Sequence, residues 1–351
     1  RARLDVLSEI PREWARQLAS WARAHRGLKT RVQDRLAPDA HMEYVIYQTL
    51  VGMWPIGGAA EPERGELRER ASVFARKAAR EAKARTSWID INEEYEGALA
   101  SFIDALFSRP EFLRELEAFV ARIMPSGALN AIARTVLHLT SPGFPDIYQG
   151  DELWNFSLVD PDNRGPVSYE SRRAALATLD TMSPSGDMAE SIEAKWLTRQ
   201  DSVTIKLAII RNCLRARADH APLFAHGSYQ PLAAHGPRGA NIFAFARRSA
   251  ASSPDDAAII VVPRLTHAFA PHSPPIGDFW QNTELHLDAR TPSAPYWRCA
   301  ISGHELAIPA NPAPPSSSVS TIRLPLSDIL AQAPVAVLLP IPTPLTATSY
   351  Q

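Results

Sequence analysis

Cysteine is scarce in this sequence, and its scarcity limits the kinds of site that the chain can hold. Only Cys213 and Cys299 occur among the 351 residues, and they lie far apart. This spacing predicts neither a disulfide framework nor a cysteine metal site, and it fits a cytoplasmic location. The ten histidines form no H-x-x-x-H or H-E-x-x-H pattern, so we expect no metal ion.

Long apolar runs and an excess of either charge are missing too. No apolar stretch reaches the roughly 20 residues of a membrane span, and no signal peptide is recognisable. Lys and Arg number 37 and Asp and Glu 38, which gives a formal net charge of −1. We therefore expect neither a membrane nor a nucleic-acid partner, because phosphate binding needs a concentrated positive surface. The motifs G-x-G-x-x-G and G-x-S-x-G are also absent, so neither a dinucleotide cofactor nor serine-hydrolase chemistry has support.

Helical patterns dominate the first 135 residues. One helix is predicted to start at Pro11 and another at Pro38 or Asp39. Further helices are predicted at 62–84, 93–107, 110–122 and 128–137, with a turn at 124–127 between the last two. Arg and Glu alternate along the helix at 62–84, which predicts a solvated, ion-paired face.

The second half of the chain changes from helices to strands. Helices are predicted at 171–179 and 204–218, with a loop at 183–186 between them. Beyond residue 221, short β-type runs separated by proline-rich segments predict an antiparallel sandwich or half-barrel. These runs are 242–246, 258–262, 284–287, 321–324 and 335–339.

A dense mixture of turn formers, carboxylates, amides and aromatics runs from Thr140 to Tyr169. The apolar and β-branched residues before it predict a short buried strand that ends near Ile147. Gly143 and Gly150 are expected to take φ > 0, which lets a ligand approach the backbone. Polar side chains suit sugar hydroxyls and aromatic faces suit the apolar side of a glucose ring. The segment therefore predicts a sugar-binding loop, with an ordinary solvated loop as the competing interpretation.

Two carboxylate pairs in this segment are candidates for catalysis. Asp151 and Glu152 are adjacent, and neighbouring side chains of an extended segment point in opposite directions. They are not expected to flank one glycosidic bond, as the two carboxylates of a retaining glycosidase do. Glu152 is expected to anchor the segment by hydrogen bonds. Asp160 and Asp162 are expected to bind a ligand rather than to act as nucleophiles.

Several motifs follow one another in an order that narrows the interpretation. The segment contains Y-Q-G-x-E-L-W, then S-L-V-D-P-D-N-R, then P-V-x-Y. Other stretches are R-A-R-L at residue 1, S-E-I-P-x-E-W at 8, E-Y-x-x-Y-Q-T-L-x-G-x-W-P at 43, K-x-x-T-S-W at 83 and F-W-x-x-T-x-L at 279. Together they resemble the maltooligosyl trehalose synthases of the α-amylase superfamily. One departure is Ser168, where that family commonly has Asp.

The resemblance implies a fold and a division into domains. Residues 1–130 would be a helical region inserted before the last strand of a (β/α)8 barrel. Residues 131–220 would hold that strand, the sugar-binding loop and closing helices, and residues 221–351 an all-β C-terminal domain. The catalytic carboxylates of the family would precede Arg1, so the chain would be the C-terminal half of a longer protein and would hold no catalytic residue.

The resemblance also implies an activity and a set of binding residues. The family converts the reducing-end α-1,4 linkage of a maltooligosaccharide into an α,α-1,1 linkage by intramolecular transglucosylation. Expected partners are that substrate and the missing N-terminal half of the protein. Expected substrate-binding residues are Tyr148, Gln149, Glu152, Asp160, Asp162, Asn163, Arg164 and Tyr169. Another α-amylase-type glucanotransferase and a non-catalytic glucan-binding or assembly module remain as alternatives.

Overall fold

The described part of the chain forms two compact units. A computed structural model describes residues 1–181, 202–249, 257–269, 274–288, 294–308 and 321–342. Unit 1 comprises Arg1–Gly127 and Asn155–Val167, and unit 2 comprises Ala128–Trp154 and Ser168–Gln351. Within the described ranges no helix combines the length and apolarity needed to cross a membrane. The loop predicted at 183–186 lies outside the described residues.

Unit 1 is built mainly from helices that start where the sequence predicts. Pro11 occupies the first turn of its helix, where its missing N–H costs nothing. Asp39 caps the next helix, since its carboxylate accepts hydrogen bonds from the amides of His41 and Met42. The helices are α1 (Ala2–Asp5), α2 (Pro11–Ala24), α3 (Ala40–Met53), α4 (Glu61–Ala82), α5 (Glu93–Phe107) and α6 (Pro110–Thr140), the last with residues in both units.

A short hairpin interrupts the helices and was not predicted. Strand β1 (Thr30–Val32) pairs antiparallel with β2 (Arg35–Ala37). The two residues between them, Gln33 and Asp34, both have positive φ, at 49° and 60°. Two-residue hairpin loops of type I′ need positive φ at both residues and usually contain Asn or Gly. Gln-Asp is an unusual pair for such a turn, so the hairpin could not be recognised from its residues.

The core of unit 1 encloses a polar cluster around the carboxylate of Glu43. Lys29 Nζ lies 2.6 Å from Glu43 Oε2, and the Tyr47 hydroxyl donates to Glu43 Oε1 at 3.0 Å. His25 Nδ1 lies 2.8 Å from that hydroxyl and its ring packs against Phe112. Burial, and then the positive charge of Arg109, lower the pKa of His25 to about 4. A neutral imidazole is therefore part of the folded core.

Unit 2 combines helices with one eight-stranded antiparallel sheet. Its helices are α7 (Tyr169–Thr181), α8 (Ser202–Asp219), α9 (Ala221–His226) and α10 (Leu326–Ile329). Its strands are β3 (Ser228–His235), β4 (Ile242–Arg248), β5 (Ala257–Pro263), β6 (Glu284–Asp288), β7 (Tyr296–Cys299), β8 (Glu305–Ala307), β9 (Thr321–Pro325) and β10 (Ala336–Ile341), in the order β8-β7-β10-β5-β4-β3-β6-β9. The antiparallel β region that the sequence predicted is thus confirmed.

All five predicted β runs are strands, and β3, β7 and β8 were missed. Strand β3 contains Pro231 and buries none of its residues fully, so its hydrophobic pattern is weak. Strands β7 and β8 are four and three residues long, which is too short for a clear alternation. By contrast, β5 is buried at every position and has the continuous apolar run that marks a central strand.

The strand predicted to end near Ile147 is wrong. Residues up to Thr140 belong to α6, and residues 141–147 form no strand. The buried residues on this part of α6 recur at helical spacing: Leu129, Ile132, Ala133, Val136 and Leu139. A strand also needs a neighbour for its hydrogen bonds, and every strand pair in the described ranges is antiparallel and formed elsewhere. A helix satisfies its own backbone groups, which favours it here.

The turn predicted at Met124–Gly127 is wrong for a related reason. These residues continue α6, with Pro125 inside the helix. Gly127 is required by packing rather than by a turn, because a Cβ built there would lie 2.9 Å from the Cα of Arg3. Arg3 is buried and donates to the carbonyls of Val51 at 2.8 Å and Trp54 at 2.7 Å, at the end of α3.

Candidate functional site

The eight residues that the sequence selects are divided between the two units. Asp160, Asp162, Asn163 and Arg164 belong to unit 1 and lie together in one turn, hereafter the 160–164 turn. Tyr148, Gln149, Glu152 and Tyr169 belong to unit 2. The predicted positive φ is found at Gly143 (119°) and at Gly150 (97°).

Asp162 is the most strongly bound residue of the 160–164 turn. Arg70 of α4 donates to both of its oxygens, from Nε to Oδ1 at 2.7 Å and from a terminal nitrogen to Oδ2 at 2.8 Å. The amide of Leu158 adds a third hydrogen bond at 2.6 Å to Oδ2. Burial alone would raise the pKa of Asp162, but the hydrogen bonds from Arg70 and Leu158 outweigh it and lower that pKa. Asp162 is therefore a charged anchor within unit 1.

Asp160 and Arg164 form the exposed side of the same turn. Arg164 Nε contacts Asp160 Oδ1, and the two side chains are 73% and 47% exposed. Lys77 of α4 donates to the backbone carbonyl of Asp160 and lies 3.8 Å from its carboxylate. The buried Oδ1 of Asn163 has no hydrogen-bond partner within the described residues. The turn thus offers a guanidinium, a carboxylate and an amide, which are the groups that bind sugar hydroxyls.

Glu152 anchors unit 2's part of the segment, as the sequence predicts. Arg172 of α7 donates from Nε to Glu152 Oε2 at 2.8 Å, and the amide of Gly150 donates to the same oxygen at 3.1 Å. Burial alone would raise the pKa of Glu152, but the bond from Arg172 and the backbone bonds lower it overall. Lys206 of α8 donates to the carbonyl of Leu153 at 3.3 Å, and its pKa is lowered by burial despite the nearby carboxylates.

Arg172 also links two stretches of unit 2 that are distant in sequence, those around Gly150 and Ser168. Its terminal nitrogens donate to the carbonyls of Gly150 at 2.8 Å and Ser168 at 3.0 Å. Tyr169 follows Ser168 and is 55% exposed, and Tyr148 is 41% exposed; Gln149 is also exposed. Tyr148, close in sequence to Glu152, and Tyr169, the first residue of α7, each present an exposed aromatic face of the kind that a glucose ring prefers.

Ser168, where the sequence resemblance leads us to expect Asp, has a helix-capping role. Its hydroxyl lies at the start of α7, where it accepts from the amide of Ser171 at 3.3 Å and contacts the Ser171 hydroxyl at 2.8 Å. Ser and Asp are about equally good helix N-caps. A Ser at this position therefore caps the helix that begins at Tyr169.

Sequence reasoning missed the three cations that hold these turns: Arg70, Lys77 and Arg172. The mixed charges of α4 predicted a solvated, ion-paired face, and the pairs Arg64–Glu61 and Lys77–Glu81 fit that prediction. Arg70 and Lys77, however, reach the 160–164 turn. They are seven residues apart, and that spacing places both on one face of the helix. The seven-residue spacing could have indicated that Arg70 and Lys77 share a face of the helix. Nothing in the sequence indicated that this face contacts the 160–164 turn.

No group of three or more His, Cys, Asp or Glu side chains in the described ranges is arranged to hold a metal ion. Cys213 and Cys299 are free and buried, and burial raises the pKa of Cys213. The carboxylates of Glu152 and Asp162 are each bound to an arginine. The groups described above offer hydrogen bonds and aromatic faces to a ligand.

Comparisons with known proteins identify relatives for most of the chain. No family model matches it. A protein of Mycobacterium tuberculosis named "Putative maltooligosyl trehalose synthase" is 35% identical over 247 residues, which cover 70% of this chain and 28% of that protein. The structure of maltooligosyltrehalose synthase from Arthrobacter ramosus is 28% identical with a TM-score of 0.69, over 97% of this chain and 36% of that one.

A further solved structure, titled "Crystal Structure of Maltooligosyl trehalose synthase", shares the fold with a TM-score of 0.65 at 21% identity, over 97% of this chain and 37% of that one. The resemblance predicted from the sequence motifs is thereby confirmed. The chain spans well under half the length of each of these relatives.

Proposed function

We propose that this chain, a relative of the maltooligosyl trehalose synthases, is the C-terminal part of such an enzyme. The complete protein would act as a (1→4)-α-D-glucan 1-α-D-glucosylmutase in the cytoplasm and convert the reducing-end α-1,4 linkage of a maltooligosaccharide into an α,α-1,1 linkage. The observation that carries the proposal is the 35% identity over 70% of the chain. The ordered motifs from Tyr148 to Tyr169 support it.

The proposed reaction proceeds through a covalent glycosyl-enzyme. One carboxylate attacks the anomeric carbon while a second carboxyl group protonates the O4 of the departing reducing-end glucose. The anomeric hydroxyl of that glucose then gives its proton back to the second carboxylate and displaces the first from the anomeric carbon. Water must be kept away, because it would compete with that glucose. We place the reacting carboxylates in residues that precede Arg1 in the complete protein, since Glu152 and Asp162 are bound to arginines.

This chain would supply groups that hold the migrating glucose. In unit 2, the exposed side chains of Tyr148, Gln149 and Tyr169 are proposed substrate-binding residues, supported by Glu152. In unit 1, Asp160, Asn163 and Arg164 are proposed separately as substrate-binding residues, supported by Asp162. In the complete protein, residues 1–130 would be a helical region inserted into an α-amylase-type fold, residues 131–220 would hold the sugar-binding segment and the helices around it, and residues 221–351 would form the domain after it.

Arg164→Ala in the complete protein is the first test of this assignment. If the guanidinium holds the migrating glucose, its loss should let glucose escape and water react instead. One charge-assisted hydrogen bond contributes about 1.5–3 kcal/mol, so the ratio of free glucose to trehalose-capped product should rise roughly ten- to a hundredfold. Chromatography of the products formed from maltopentaose measures this ratio.

Two further variants make the result specific. Arg164→Lys should behave like the alanine variant, because an ammonium lacks the planar fork of donors. Arg173→Ala removes an exposed arginine on α7 and should leave the ratio unchanged. Equal losses of both products in Arg164→Ala, at a constant ratio, would make Arg164 only an ion-pair partner of Asp160.

A further inference from the structure

Two residues of helix α4 that lie outside the recognisable motifs, Arg70 and Lys77, contact the 160–164 turn. We infer that Arg70 and Lys77 are positioning residues for the sugar-binding turn, and that Asp162 is the anchor bound by Arg70 rather than a sugar ligand. The inference rests on the proposed function for its effect on the reaction. The positioning itself rests on unit 1 alone.

Asp162 has little capacity left for a sugar. Its carboxylate accepts both donors of the Arg70 fork and the Leu158 amide, at 2.7, 2.8 and 2.6 Å. Its side chain is only 17% exposed. A hydroxyl of the ligand would have to displace a charge-assisted hydrogen bond, and bidentate arginine–carboxylate pairs are among the strongest in proteins.

Helix α4 holds the turn at further points along its backbone. The terminal nitrogen of Arg70 that reaches Asp162 also donates to the carbonyl of Phe156 at 2.9 Å. Two helical turns further on, Lys77 donates to the carbonyl of Asp160. The backbone on both sides of Leu158 is therefore fixed by two cations on one face of a 22-residue helix.

This support determines where the exposed groups point. Asp160 is held through its carbonyl, and its carboxylate faces Arg164, whose side chain is 73% exposed. Arg164 is thus directed by a carboxylate that is itself held by α4. A displacement of about 1 Å in a group that positions a substrate can reduce the rate up to about a hundredfold. Arg70 and Lys77 are consequently expected to affect how the glucose is retained without touching it.

The first arm of the test measures positioning in the 351-residue chain itself. In Arg70→Gln, amide hydrogen exchange within 155–164 should become faster, most clearly at Leu158, whose acceptor would lose its partner. Arg68→Gln is the matched control, because Arg68 lies on the same helix and its side chain pairs, among the described residues, with the exposed Asp104 at 3.6 Å. Unchanged exchange at Leu158 in Arg70→Gln would overturn the inference, whatever the activity of the complete protein.

The second arm is a double-mutant cycle in the complete protein with maltopentaose. Arg70→Gln and Asp162→Asn should each raise the ratio of free glucose to capped product by a similar factor, and the double variant should raise it no further. Arg70→Lys should not restore the wild-type ratio, because it keeps the charge but not the fork.

The outcomes of the two arms separate the inference from the proposed function. The inference would be overturned if the double variant raised the product ratio by the product of the two single effects. It would also be overturned if Asp162→Asn raised KM far more than Arg70→Gln does. Either result would make Asp162 a direct sugar ligand. A complete wild-type protein that forms no trehalose-capped product would contradict the proposed function, and the exchange measurement would still decide whether Arg70 positions the turn.

Discussion

Arg247→Met should cost the chain about 3–5 kcal/mol of its free energy of unfolding, because each buried acceptor left unpaired costs about 1–3 kcal/mol. The Arg247 side chain is fully buried in unit 2. It donates to five backbone carbonyls at distances of 2.8–3.3 Å, those of Thr140, Leu223, Phe224, Gly227 and Ser228. Met fills a similar volume but donates nothing, so the last carbonyls of α6 and α9 would lose a cation that suits a helix C-terminus.

Urea unfolding followed by circular dichroism measures this loss. Arg323→Met, at an exposed position of β9, is the matched control and should change stability by less than about 0.5 kcal/mol. Burial, and then the charge of Arg217, lower the pKa of Arg247, which shows that the site holds a cation at some cost. Equal stabilities of Arg247→Met and the control would mean that the carbonyls find other partners.

The stability of unit 1 should fall as the pH drops from about 6.5 to about 4. The pKa of His25 is about 4 in the folded chain against an ordinary 6.5, so the unfolded chain binds more protons in this window. Stability therefore rises with pH across it and levels off on both sides. The full change is roughly 3–3.5 kcal/mol, since one unit of pKa corresponds to 1.36 kcal/mol.

Replacing His25 should remove this dependence. In His25→Gln, the slope of unfolding free energy against pH should decrease by up to about one proton between pH 4 and 6.5. His41→Gln is the control, because His41 is exposed at the start of α3 and its replacement should leave the slope in place. A wild-type slope retained in His25→Gln would assign the dependence to other groups of the core.

Local chemistry allowed much of the fold to be predicted from the sequence. Helix starts at Pro11 and Asp39 follow from residue types whose effect does not depend on distant partners. Strands such as β5 were visible because burial on both faces requires a continuous apolar run. The error before Ile147 arose where β-branched residues occur within a helical repeat, and long-range packing decides between the two structures there.

In the candidate site, too, local features could be predicted from the sequence and long-range contacts could not. The polar and aromatic residues of the segment could be selected because their chemistry and order are recognisable in the sequence. Their supporting cations could not, since Arg70 is 92 positions from Asp162 and Arg172 is 20 positions from Glu152. A long-range ion pair leaves no local pattern, and a mixed-charge helix has the same composition whether it faces solvent or a binding loop.

The most direct test of the account compares the 351-residue chain with the complete protein in the same assay. Each is incubated with maltopentaose while reducing ends are followed over time. The account predicts a sustained loss of reducing ends with the complete protein, and no change with the chain alone, because the proposal places the reacting carboxylates outside the chain. A loss of reducing ends catalysed by the chain alone, or a gain of reducing ends with the complete protein, would contradict it.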